Sequence, residues 1–179
     1  MDKRKEANLR VKKNITAALF SLMQEKSLAD IHITEIIRTA GVARASFYRN
    51  YCSKEDVVVT LIRDILREYR EQVRYESGSF YNHHNVLLSF RYFEKYREYV
   101  LDLYRSGFGC TILEELNLFH ESVEGTMPAS SVEKYELYLY IGALFNTALV
   151  WLSEEPRASA EEITDFFQDR VCRMMNRFR

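Results

Sequence analysis

Arg44, Tyr48, Arg49 and Lys54, with the small residues Ala45 and Ser46 between them, form the constellation in this chain with the most specific chemistry. That chemistry is a grip on double-stranded DNA. Arg44 stands at the start of a short helix that follows the Ala40-Gly41-Val42 turn, where it can bond guanine in bidentate fashion through the major groove. Ala45 offers a methyl to a thymine methyl, and Ser46 a small hydroxyl to phosphate or base. Tyr48, Arg49 and Lys54 suit phosphate contacts, which fix orientation without reading sequence. Thr34, near the start of the preceding helix, is placed to bond the DNA backbone across the groove. On the other side of the same short helix, Val42, Phe47 and Tyr51 face inward and set its angle. A buried side and a reading side are what the second half of a helix-turn-helix requires.

Charge agrees with a protein that touches phosphate at one end. Residues 1–52 carry ten Lys/Arg against five Asp/Glu, a net of +5, within a chain whose total is −1, so the rest is at −6. A basic head on an acidic body follows. Other chemistries find no support. His83-His84, Cys110 and His120 lack metal-ligand spacing, and Gly107-Phe108-Gly109 follows no strand, so it is no nucleotide-binding fingerprint. No nucleophile–base pair is visible. No catalysis, cofactor or metal is therefore expected. The three cysteines (Cys52, Cys110 and Cys172) are odd in number and lack a CxxC, which suits a reducing cytosol. The N-terminus has no apolar leader core and no 18-residue apolar run occurs, so a cytoplasmic protein without a membrane span is expected.

The elements that must position these residues are helices. Apolar residues at three-four spacing (Ile15, Ala18, Leu19, Leu22 and Met23) predict a first helix from about Lys5 to Lys26. A second spans roughly 33–39, ended by Gly41, and a third covers 44–51. Ser53 caps a fourth, with Asp56 completing a box-like pair, and its stripe of Val58, Leu61, Ile62, Ile65, Tyr69 and Val73 carries it to about Glu76. Ser77-Gly78-Ser79 breaks the chain. Helical stretches near 85–106 and 108–124 follow, bent at Gly107 and Gly109, and Gly125–Ser130 closes that section. A long helix over 132–154 stops before Pro156. Ser159 and Glu162 then form the capping box of a last helix reaching about Phe178. The expectation is an all-α protein of about nine helices. Residues 1–53 make a helix-turn-helix domain, and 54–179 a helical effector-binding and dimerisation domain.

From Ile31 through Asp56 the chain resembles the DNA-binding domain of the TetR family of bacterial transcriptional regulators. The resemblance rests on Ala40-Gly41-Val42, the Phe47-Tyr48 pair, Tyr51 three residues on, and Lys54-Glu55 opening the fourth helix. It covers about the first 60 residues strongly; beyond them only the general layout, with Gly142 and Trp151 in the penultimate helix, is similar. Two positions depart from the family pattern. His32 and Ala43 stand where a hydroxyl usually caps the second and third helices, a loss of about 1 kcal/mol each. Ala43 also removes a phosphate contact.

The resemblance implies a regulator, acting as a repressor, that binds a palindromic operator as a homodimer and is released by a small effector. Ten aromatics lie between Phe80 and Phe119, in the region that forms a ligand pocket in TetR-like proteins. An apolar or aromatic effector is implied, and Tyr96, Tyr99, Tyr104 and His120 are the polar groups to hold it. The helix at 132–154 is apolar nearly all round, so it needs two neighbours, one of them a second subunit. With the last helix it is expected to form the dimer interface through Phe145, Leu149, Phe167 and Val171. A regulator controlled by a partner protein, its aromatics forming solid core and no pocket, is the alternative.

Overall fold

Helical periodicity carries through the described chain, which comprises residues 3–73, 81–124 and 131–172 of a computed structural model. The breaks expected at Ser77-Gly78-Ser79 and Gly125–Ser130, together with Phe80 and the last helix beyond residue 172, lie outside the described residues. Among those described, all regular structure is helical.

The head comprises α1 (Lys3–Met23), a 3-10 turn (Leu28–Asp30), α2 (Ile33–Ala40), α3 (Arg44–Asn50) and the start of α4 (Lys54–Arg70). Its core is Ile15 and Leu19 of α1, Ile36 of α2, Phe47 of α3 and Val57 of α4, all wholly buried. Side chains of this size each contribute about 1.5–3 kcal/mol on leaving water. Gly41 ends α2 at φ +63°, the left-handed conformation that an L side chain adopts only at a cost. Its N–H bonds back to Arg38, and Val42 N–H to Ile37, so the turn is closed by two bonds. At the start of α4 the Ser53 hydroxyl accepts the Asp56 N–H, as the capping pattern predicts. The Asp56 carboxylate reaches one residue further back than a standard box and takes the Cys52 N–H at 2.8 Å.

The body holds α5 (His83–Lys95), α6 (Arg97–Leu103), α7 (Gly109–Glu124), α8 (Val132–Ser153) and α9 (Ala160–Phe167), which widens into a π-type turn through Cys172. The Ser159–Glu162 box closes reciprocally, with Glu162 N–H on the Ser159 hydroxyl and Ser159 N–H on the Glu162 carboxylate. Gly107, at φ +87°, makes the expected bend before α7. One expected helix is in fact two. The stretch near 85–106 breaks at Tyr96 (φ −107°, ψ 22°), without a glycine or proline to mark it. Packing explains the break: α5 lies against α9, while α6 turns to meet α8 and α1. The Arg97 guanidinium, first in α6, locks the new direction on the Leu152 carbonyl at 2.8 Å.

α8 is the central helix. It is long and apolar enough over an 18-residue window to cross a membrane by composition alone, yet half of that window is buried inside the protein. Leu137, Tyr140, Ile141, Leu144, Ala148, Trp151 and Leu152 face α5, α6 and α7. Trp151 stands edge-on to Phe90, and its indole N–H donates to the Ala158 carbonyl at 2.8 Å.

Candidate nucleic-acid interface and effector cavity

Phe47 is the anchor of α3. It is wholly buried, stacks at an angle on Tyr51, and so leaves its neighbours on α3 no room but outward. Arg44, Ala45, Tyr48 and Arg49 are exposed; Ser46 is half-buried. The Arg44 guanidinium lies over the Tyr48 ring at 5.2 Å, with a nitrogen 3.4 Å from its phenol oxygen. Stacking on an aromatic ring reduces the freedom that an exposed arginine would otherwise lose on binding. Across a shallow cleft stand His32 and Thr34 at the start of α2 and Lys54 and Glu55 at the start of α4. The fold thus brings Thr34, Arg44, Tyr48 and Lys54 to one surface.

Lys54 is there on different terms from those its charge suggests. Its ammonium donates to the Leu28, Ala29 and Ile31 carbonyls at 2.5, 2.9 and 2.8 Å. All three of its hydrogens serve the protein, so Lys54 fastens the 3-10 turn to α4 instead of extending toward phosphate. The missing hydroxyl at His32 is offset as well. Glu35, three residues on, accepts the His32 N–H at 2.9 Å and is held by Lys26 at 2.6 Å. The Lys26 hydrogen bond, helped by the His32 N–H, keeps the Glu35 carboxyl below its ordinary range. Ala43 has no such substitute, and no side chain caps α3.

The body encloses a cavity of about 80 Å³ between α4, α5, α6, α7 and α8. Its walls are almost wholly apolar: Leu61, Ile62, Ile65 and Leu66 of α4, with Val100, Leu103, Ile112, Leu116 and Leu144. Of the polar groups expected there, Tyr96, Tyr99 and His120 do line it, whereas Tyr104 is half exposed on the surface and does not. Tyr104 continues the helical backbone at the end of α6, and its ring lies beside Gly109 on the outer side of the turn. Sequence reasoning missed Tyr69, Ser89 and Tyr92. Tyr69 bonds the Ser89 hydroxyl at 2.9 Å inside the body, and Tyr92 accepts from the Gln72 amide at 2.6 Å. Tyr69 was legible only as a member of the buried stripe of α4, and Ser89 carried no signal.

The cavity tyrosines differ in where their phenols point. Tyr96 donates outward to Glu68 at 2.6 Å, and Lys95 meets the same carboxylate at 2.5 Å. Lys95 and the Tyr96 phenol together hold Glu68 below the usual carboxylate range. His120 is buried, and its Nδ1–H donates to the Leu116 carbonyl at 2.7 Å. Burial pushes its pKa down to about 4, so it is neutral at physiological pH. Tyr99 joins body to head: it lines the cavity and stands edge-on to Phe20 of α1 with ring centroids 4.5 Å apart. Beside it the Gln24 amide of α1 donates to Asp102 of α6 at 2.6 Å.

The four residues expected at a dimer interface are differently placed. Phe145, Leu149 and Phe167 are buried within the protomer, and Val171 is half-buried. Phe167 packs on Phe90 and Tyr140, and Phe145 on Phe93. The large apolar residues that α8 and α9 leave exposed are Val132, Tyr135, Tyr138, Leu139, Val150 and Phe166. An all-round apolar helix has two faces, and periodicity alone does not say which one the protomer itself covers.

Residues 15–61 match the family model described as "Bacterial regulatory proteins, tetR family". Among solved structures, a TetR transcriptional regulator from Streptococcus agalactiae shares the fold at a TM-score of 0.62 and 20% identity, over 94% of this chain and 97% of that one. Lin0861 from Listeria innocua gives a TM-score of 0.73 at 14% identity, over 97% and 94% of the two chains. The dihydroxyacetone kinase operon activator DhaS gives 0.57 at 16% identity, over 93% and 96%. At these identities the likeness is one of fold. The matched segment contains the whole helix-turn-helix whose geometry is described above, so the head of this chain is of the kind found in the bacterial regulatory proteins of the tetR family.

Proposed function

We propose that this protein is a cytoplasmic, homodimeric repressor that reads a palindromic operator through α3 and releases it when a small apolar effector enters the body cavity. The observation that carries the DNA-reading part is the shared surface of Thr34, Arg44 and Tyr48, with Ala45, Ser46 and Arg49 on the adjoining turn. Arg44 reads a base; Tyr48, Arg49 and Thr34 hold phosphate; Lys54 acts by fixing the loop that presents them. The test is Arg44→Ala after the operator has been selected from a random pool with the native protein. Discrimination between operator and random duplex should fall about five- to 150-fold, the equivalent of about 1–3 kcal/mol, while the melting temperature stays unchanged. An unaltered ratio at fixed salt would remove Arg44 from base reading.

The dimer is proposed to form through the outer face of α8, with α9 beside it. By helical period Tyr135, Leu139, Asn146 and Val150 fall within one stripe, and Phe166 adds an exposed ring. Leu139→Glu is expected to yield folded monomers by light scattering, because it sets two carboxylates against each other at a two-fold interface. A Leu139→Glu protein that remained dimeric would move the interface elsewhere. Release of DNA is proposed to run through Tyr99. An occupant that presses on its ring shifts Phe20 and α1, and so changes the spacing of the two reading helices. The small volume of the cavity favours one second reading, in which a partner protein controls the head and no ligand enters.

A further inference from the structure

The cavity is too small to hold an effector wholly within its walls. Apolar cavities that admit benzene measure roughly 150 Å³, about twice the 80 Å³ found here. A chain can place part of its length there and leave the rest outside, which a ring cannot. The structure also offers that chain a way in. On the outer side of the α4–α7 seam lies a groove lined by Arg63, Leu66, Arg67, Arg70, Glu115 and Leu118, together with Phe119. Leu66 lines both the groove and the cavity, so the two adjoin at that side chain. Leu66 and Phe119 are only half-buried, and the seam beside them is closed by a ring contact between Tyr69 and Phe119 at 5.7 Å.

The two compartments are chemically opposite. The cavity is apolar, with a neutral histidine as its one imidazole. The groove carries three guanidinium groups. Arg63 is committed, in bidentate fashion, to Glu115 at 2.8 and 2.7 Å. Arg67 meets Asp64 at 2.6 Å on the solvent side, and Arg70 is in no ion pair among the described residues. Arg67 and Arg70, three apart on one helix face, can converge on a single carboxylate.

We infer that the effector is a single-chain alkyl carboxylate, its chain passing Leu66 into the cavity and its carboxylate held in the groove by Arg67 and Arg70. This rests on the proposal that a small molecule enters the body. Apolar burial supplies affinity at about 0.8 kcal/mol per methylene, and the arginines select the charge of the head. The chain end would then lie among Leu103, Ile112 and Leu144, opposite Tyr99.

The test measures binding of octanoate, octanol and octylammonium to the full-length protein by calorimetry at constant ionic strength, with native chain and an Arg67→Gln/Arg70→Gln variant. Octanoate should bind the native protein at least tenfold more tightly than octanol, and octylammonium more weakly than either. The double variant, shown to be folded by its circular dichroism melt, should bind octanoate no better than octanol. Leu66→Trp, which plugs the passage from the groove, should weaken both. If octanol matches octanoate, or the double variant holds octanoate as well as the native chain, the carboxylate assignment is wrong while the cavity reading stands. If none of the three binds the native protein, the small-molecule reading itself fails, and the assignment with it.

Discussion

Phe47→Ala is expected to destabilise the head by about 3–5 kcal/mol and to abolish DNA binding with it. Phe47 has no exposed surface and belongs to α3, which packs against α1 and α2; its ring meets those of Tyr48 and Tyr51. Removing its ring leaves a void that this small core of Ile15, Leu19, Ile36 and Val57 is poorly able to refill. Chemical denaturation followed by circular dichroism, with operator binding measured on the same samples, gives the readout. The contrast with Arg44→Ala is the informative part. One variant loses the platform and the other loses only the reading atom, so Phe47→Ala should lose operator and random DNA together. A Phe47→Ala protein that kept native stability and affinity would contradict the packing described above.

Acid should destabilise the body through His120. Its pKa is about 4 in the folded protein, because burial opposes the charge, against about 6.5 in an unfolded chain. The unfolded state therefore binds a proton first as pH falls. Stability from this group is complete above about pH 6.5 and declines between 6.5 and 4, by roughly 3 kcal/mol in all. The carboxylates held below their ordinary range (Glu35, Glu68, Glu121, Glu161 and Glu162) act in the opposite part of the scale. Their contribution is present above about pH 4.5 and is lost only as pH falls further, so the window from 6.5 to 4.5 isolates the imidazole. Urea unfolding at pH 7, 5.5 and 4.5 should show this slope in the native protein and not in His120→Leu. Equal slopes in the two proteins would mean that His120 is solvated or charged within the fold.

His120 illustrates how unevenly the candidate sites were legible. A lone histidine on an apolar helix stripe reads equally as core or as ligand, and its neutral state follows only once five helices are seen to enclose it. Tyr104 read just as well from composition, and its place on the outer side at the end of α6 leaves it outside. Lys54 is the clearest case. Its place after Ser53 correctly marks the start of α4, but its charge suggested phosphate, and three backbone carbonyls from residues 28–31 take its hydrogens instead. A lysine and carbonyls more than 20 residues apart have no signature in the chain that joins them.

What the sequence by itself determined is what depends on local, short-range physics. Periodicity, caps and the left-handed glycine located the head helices to within a few residues, since each rests on bonds spanning three or four positions. The exposed face of α3 followed from its buried face, because a helix this short has only two. Tertiary structure alone decided the break at Tyr96, the face of α8 left exposed, and the size of the body cavity. Each of these is settled by which distant helix wins a given apolar surface. The α4–α7 groove beside the cavity belongs to the same class, since Arg67 and Arg70 meet Leu118 only because two helices some 50 residues apart pack side by side.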